Sequence, residues 1–178
     1  MAMQQERDGT LSGLFGRMYV VAVEGPIGKI WMESDGALIT RSSFEVISGR
    51  NAKAPKVLLE AARQMDQYFK RRRKNFELPL QLHGTQFREL VRERLLAIPY
   101  GQTTTYGTIA RTIGGKAIAR TVGQACATNP LPILVPCHRV IAGNGLLTGY
   151  VGGLWRKQGL LELEGAIPPN LFPRRHMR

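Results

Sequence analysis

Carboxylates are scarce in this chain. Its 178 residues hold 13 Asp and Glu against 25 Lys and Arg, a formal charge of +12 and a sequence pI near 10.4. The shortage is local: residues 94 to 161 contain seven Lys or Arg and no Asp or Glu at all. A surface without carboxylates suits a polyanion, so nucleic acid or an acidic membrane surface is the expected partner, met by the C-terminal half. Cysteine and histidine are also few. Two Cys, Cys126 and Cys137, and three His fit no standard metal box, which excludes a disulfide scaffold and argues against structural zinc. No apolar run approaches the ~18 residues of a membrane span, and the first residues lack the apolar region of a signal peptide. We therefore expect a monomeric protein of the cytoplasm, or of the nucleus if eukaryotic, with reduced thiols and no metal or cofactor.

Apolar residues at 43% are enough for a folded core. Residues 1–17 read as a loose polar tail. From Met18 the runs MYVVAVEGPIGKIWMES and ALITRSSF, broken by Gly25-Pro26 and Asp35-Gly36, predict an antiparallel meander. Pro55 to Arg72 carries apolar residues at helical spacing and predicts an amphipathic helix, followed by FELPLQL as a further strand. The KRRRK cluster at 70–74 reads as a solvated helix end more readily than as a phosphate contact. The N-terminal unit, 18–84, is thus α/β without a chemical signature.

The second unit, 85–168, reads as mostly helical, with a basic tail at 169–178. Thr85 to Leu96 forms one helix; Thr105 can cap a second through Ile113; Gly114-Gly115 turns the chain into a third, Ala117 to Thr128. Such a pair matches a helix-turn-helix, in a fold we class as α+β with a winged-helix-like DNA-binding unit. At about 100° per residue, Ile118, Val122 and Ala125 share one face of the last helix, and Lys116, Arg120, Gly123, Gln124 and Ala127 the other. Small residues beside an arginine permit close approach to a DNA groove, though a half-buried helix with Arg120 covering apolar surface gives the same pattern.

The run LPILVP ends at Cys137-His138-Arg139. A thiol needs a neighbouring base or cation to become nucleophilic, and a histidine is adjacent. On a strand the two side chains would point apart, so contact requires a turn at Pro136 or an intervening water. An inert buried cysteine, a DNA-binding protein without chemistry and a cysteine hydrolase remain open on these residues alone.

Four segments together, PCHRV at 136–140, IPYGQTTTYGTIA at 98–110, ARTVGQACATNP at 119–130 and LTGYVGGLWRKQGLLELEG at 147–165, resemble the O6-alkylguanine-DNA alkyltransferases, the methylated-DNA–protein-cysteine methyltransferases. The resemblance implies direct-reversal repair of double-stranded DNA by base flipping, with one lesion per protein molecule. It implies Cys137 as alkyl acceptor, His138 as its base through a water, Glu164 as the carboxylate orienting His138, Tyr106 as proton donor to guanine N3, and Asn129 as the link between recognition helix and active site. Arg120 would enter the base stack, and Thr105, Lys116, Ala119, Gly123, Gln124 and Arg139 would face DNA. Val140, Tyr150, Val151 and Gly152 would wall the base pocket, with the Cys137 and Val140 carbonyls accepting the guanine amine. Val151 departs from the Ser or Ala common in the family, and Cys126 from the apolar residue usual there.

Overall fold

The computed structural model describes residues 18–49, 53–81, 84–114 and 117–169. The readings of 1–17 and 170–178 as tails, and of Lys116 as a DNA contact, lie outside the described residues. The fold is α+β. Three strands, β1 (Tyr19–Val23), β2 (Ile30–Ser34) and β3 (Ile39–Ser43), form the expected antiparallel meander in the order β1-β2-β3, in register from Tyr19 opposite Ser34 to Val23 opposite Ile30. Alternation along β2 buries Ile30, Met32 and Ser34. Helix α1 (Lys56–Phe69) begins at Pro55, whose fixed φ suits a helix start, and turns Leu58, Ala61, Met65, Tyr68 and Phe69 into the core.

FELPLQL is not a strand. It touches the sheet at one bridge, Ile39 to Leu80, through two bonds: Ile39 N–H to Pro79 O and Gln81 N–H to Ile39 O. Pro79 has no N–H to extend the ladder.

The three helices expected between residues 85 and 128 are present, and a further helix near the end of the described residues was not expected. Thr85 caps α2 (Gln86–Leu96) by accepting from Arg88 N–H. A two-residue strand, β4 (Thr104–Thr105), leads into α3 (Tyr106–Ile113), capped by Thr105 Oγ1 on the Thr108 N–H at 3.1 Å. Gly114, with φ +76°, makes the turn that an L side chain would strain, and α4 (Ala119–Ala127) follows. Val122 and Cys126 face inward, but Ile118 is 56% exposed. It precedes the helix in extended conformation (φ −127°, ψ 158°), so helical angles do not apply to it. A 3₁₀ turn at Cys137–Arg139 enters β5 (Val140–Ile141), which pairs in parallel with β4, and α5 (Leu154–Glu164) closes the fold.

One apolar core runs from Ile27 in the β1–β2 turn and Met32 of β2 to Val140 of β5 and Leu160 of α5. Polar bonds cross it too. Ser42 donates its N–H to Pro130 O and its hydroxyl to Pro132 O, so β3 holds the segment leading to Cys137. Arg156 of α5 donates to Ile27 O at 3.1 Å and to Gly152 O at 2.9 Å, while its guanidinium lies 4.8 Å from the Phe44 ring centre and 4.3 Å from that of Trp155. Removing this clamp by Arg156→Ala should cost about 1–3 kcal/mol. The expected result is a lower urea midpoint at unchanged slope; an unchanged midpoint would show that the clamp does not stabilise the fold.

Candidate active site

Cys137 opens the 3₁₀ turn and is buried. The chain bends at Pro136 (φ −81°, ψ 58°), one of the two arrangements, a turn or a water, that the sequence left open for Cys137 and His138. The Cys137 sulfur accepts a bond from Asn129 Nδ2 at 3.2 Å. The same amide donates to Val135 O at 2.9 Å, and Asn129 Oδ1 accepts from the Leu131 N–H. Asn129, just past α4, is therefore tied to both sides of the loop that carries the thiol.

His138 is fully buried. Its Nε2 lies 2.9 Å from Glu164 Oε1, and its Nδ1 is buried with no hydrogen-bond partner among the described residues. A carboxylate partner fixes the proton on Nε2, so Nδ1 carries the free lone pair. Burial lowers the imidazole below its ordinary value; Glu164 opposes this, and Arg139 and Lys157 add to it. His138 is thus a neutral acceptor at pH 7. Burial also raises the Cys137 thiol, against which the Asn129 bond and the Lys157 charge act. The resting thiol is protonated, and a base is needed to ionise it.

Glu164 ends α5 with its side chain out of solvent. Oε1 accepts from His138, from Arg139 Nη2 at 2.9 Å and from the Tyr68 hydroxyl at 2.7 Å; Oε2 accepts from Arg139 Nε at 2.9 Å and the Gly101 N–H at 3.3 Å. Burial alone would raise this carboxyl, but His138 and Arg139 outweigh it and bring it down to about 2.

The expectation that Arg139 faces DNA is corrected here. It is buried, with both nitrogens above on Glu164 and Nη1 on Ile98 O at 2.6 Å. A guanidinium next to a buried carboxylate is held by that charge, and the 3₁₀ turn aims it inward.

Tyr106 begins α3. Its hydroxyl donates to Thr148 O at 3.2 Å and lies 3.3 Å from Lys157 Nζ. Lys157, fully buried, also donates to Thr148 O at 2.6 Å. Burial raises the Tyr106 phenol to about 12 and lowers the Lys157 ammonium to about 8. Sequence reasoning passed over Lys157 and Tyr68. For Lys157 a signal existed: it stands seven residues before Glu164, two helical turns along the same face of α5.

The remaining expected residues differ in exposure. Ala119, Arg120 and Gln124 are exposed on α4, and Gly123 is half-buried beside Tyr106; Thr105 caps α3. Val140 is buried and donates its N–H to the Cys137 carbonyl, using one of that oxygen's two lone pairs. The Tyr150 ring meets His138 edge-on at 6.4 Å and Phe44 at 5.9 Å. Val151 is 51% exposed. At Gly152 a Cβ would lie 2.5 Å from the Phe44 ring, so only glycine fits that wall. Cys126 is buried in the core. Among the described residues no group of three or more metal-binding side chains occurs, and no helix is long and apolar enough to cross a membrane.

A family model described as the DNA-binding domain of 6-O-methylguanine DNA methyltransferase matches residues 86–166. The chain is similar to the methylated-DNA–protein-cysteine methyltransferase of Mycobacterium tuberculosis, at 40% identity over 152 residues, 83% of this chain and 92% of that protein. The corresponding protein of Methanosarcina acetivorans is 41% identical over 156 residues, 84% of this chain and 99% of that one. Among solved structures, Mycobacterium tuberculosis OGT in complex with DNA matches with a TM-score of 0.74 at 40% identity, over 83% of this chain and 93% of that chain.

The Glu164 network makes stability depend on pH in one direction. Its carboxyl binds a proton less tightly folded, at about 2, than unfolded, near 4.5. It therefore stabilises the fold above pH 4.5, by about 3 kcal/mol, and that contribution is lost as pH falls toward 2. Glu164→Gln, which leaves Arg139 unpaired, should cost about 3–5 kcal/mol at pH 7. Urea denaturation is expected to show the gap between the two proteins narrowing below pH 4; a gap independent of pH would contradict the ion-pair assignment.

Proposed function

The chain belongs to the methylated-DNA–protein-cysteine methyltransferases, and from this premise we propose that Cys137 receives the alkyl group with His138 as its base. The protein repairs DNA by direct reversal, moving an alkyl group from O6 of guanine onto its own cysteine, and double-stranded DNA is its substrate. One observation carries the residue assignment: within a single 3₁₀ turn, the thiol of Cys137 is held by Asn129 while His138 commits Nε2 to Glu164 and keeps a buried Nδ1 without a partner among the described residues.

The chemistry follows from these positions. The Cys137 proton passes through one water to His138 Nδ1, and Glu164 stabilises the imidazolium that forms. The thiolate attacks the alkyl carbon in line; an S–C bond forms and the C–O6 bond breaks, its electron pair staying on guanine. The guanine anion takes a proton at N3 from the Tyr106 hydroxyl, and the phenolate left behind sits beside the Lys157 ammonium. A phenol near 12 keeps its proton until the leaving base becomes strongly basic. The product is a thioether, which has no leaving group and no route back with water, so each molecule acts once.

The target base must leave the stack, at a cost of a few kcal/mol. Arg120, exposed on α4, would fill the gap, with Ala119, Gly123 and Gln124 allowing close approach and phosphates meeting the acid-free surface. Val140, Tyr150, Val151 and Gly152 would line the base pocket. We assign the chemistry to a unit at 85–168 and a supporting role to 18–84. We place the protein in the cytoplasm, or the nucleus if eukaryotic, where its two free cysteines stay reduced.

Mixed with duplex carrying O6-methylguanine, the protein should gain one methyl on the peptide holding Cys137, in a burst equal to the protein added. Cys137→Ser should gain none. Fragmentation of the methylated peptide decides: methyl on Cys126, or more than one product per protein, contradicts the assignment.

A further inference from the structure

Tyr68 lies on α1, in the half of the chain that carries no chemical signature. Its hydroxyl nevertheless donates to Glu164 Oε1 at 2.7 Å, across 96 residues of sequence. The ring is fully buried and is packed by Phe69, Phe76 and Tyr100, with centroids 5.8, 5.3 and 6.0 Å away. A buried tyrosine needs one acceptor for its hydroxyl, and a backbone carbonyl would serve. Here the acceptor is the carboxylate oxygen already used by His138 Nε2 and Arg139 Nη2. An oxygen with three donors has less charge to lend to each of them.

We propose that Tyr68 is a positioning residue of the alkyl-transfer site: its hydroxyl fixes the Glu164 oxygen that His138 uses and draws charge from it, keeping His138 neutral until the thiol gives up its proton. The proposal rests on reading His138 as the base. Its direction follows from electrostatics. Imidazolium is stabilised by charge on Oε1, so removing the hydroxyl leaves more negative charge facing Nε2 and makes His138 easier to protonate. The other groups around the pair stay in place: Arg139 from the 3₁₀ turn, Lys157 from α5, Tyr100 before β4 with its hydroxyl on Leu163 O, and Cys137 and Tyr150 beside the imidazole. Burial already holds the Tyr68 phenol well above its ordinary value, so it remains a donor throughout.

Tyr68→Phe keeps the packed ring and deletes only the donor, and Oε1 retains two others. The test is the single-turnover rate of methyl transfer from an O6-methylguanine duplex, for both proteins, from about pH 5 to about pH 9. His138 must be neutral to act, so the acid limb of the profile reports its protonation. The limb should move up by about half a unit to one unit. Rates then differ by about three- to tenfold on the acid side and agree within about twofold on the alkaline side. The Cε1–H resonance of His138, one of three histidines, should titrate higher in the folded fraction of the variant, which covers a partial loss of folding. A uniform fall at every pH, or an unmoved limb and resonance, would overturn the proposal and leave Tyr68 a structural bond. Failure of the underlying reading is distinct: the unmodified protein would then leave Cys137 without methyl, whereas failure of this proposal alone leaves both proteins methylated on Cys137.

Discussion

The site depends on one buried negative charge. Glu164 is the only carboxylate in contact with His138 among the described residues, and its two oxygens accept five bonds from three parts of the chain: α1, the turn before β4, and the 3₁₀ turn with its His138 and Arg139. A carboxylate out of water is costly unless its lone pairs are filled, and half-filled networks are worse than none. The filling donors are the groups that position the chemistry. Arg139 pins the turn that presents Cys137, and His138 is set in the tautomer that leaves Nδ1 available. The acid-poor half of the chain spends one of its few carboxylates where no DNA can meet it.

The thiol is treated in the opposite way. Burial disfavours its anion, and the two influences that favour it, the Asn129 bond and the Lys157 charge, are short of what is needed to ionise it at rest. A protected thiol suits a protein that can act only once. Asn129 stands two residues past α4, so the helix expected to meet DNA leads straight to the side chain that holds the Cys137 sulfur, while Lys157 bonds the Tyr106 hydroxyl and its charge favours the thiolate.

Much of this was legible in the sequence, and the exceptions have physical reasons. The meander showed in β-branched runs between glycine turns, and α1 to α4 in their periodicity and in Thr85 and Thr105 as caps. FELPLQL has the composition of a strand, but Pro79 breaks its ladder. Ile118 was assigned by helical angles one residue too early. Arg139 looked like a surface cation because composition cannot say which way a 3₁₀ turn aims a side chain. Tyr68 was unreadable, because an aromatic at helical spacing on α1 looks the same whether its hydroxyl meets a carbonyl or a buried carboxylate 96 residues away. The thiol, its histidine and Glu164 were legible through motif resemblance and not through periodicity; Lys157 could have been found by its spacing from Glu164.

What the arrangement requires above all is that His138 rest neutral with its proton on Nε2. Nitrogen-15 chemical shifts of the His138 ring in the folded protein near pH 7 read both properties directly. The account expects a protonated Nε2 and a bare Nδ1. A ring protonated on both nitrogens, or on Nδ1 alone, would leave no lone pair at Nδ1 for the thiol's proton and would contradict it.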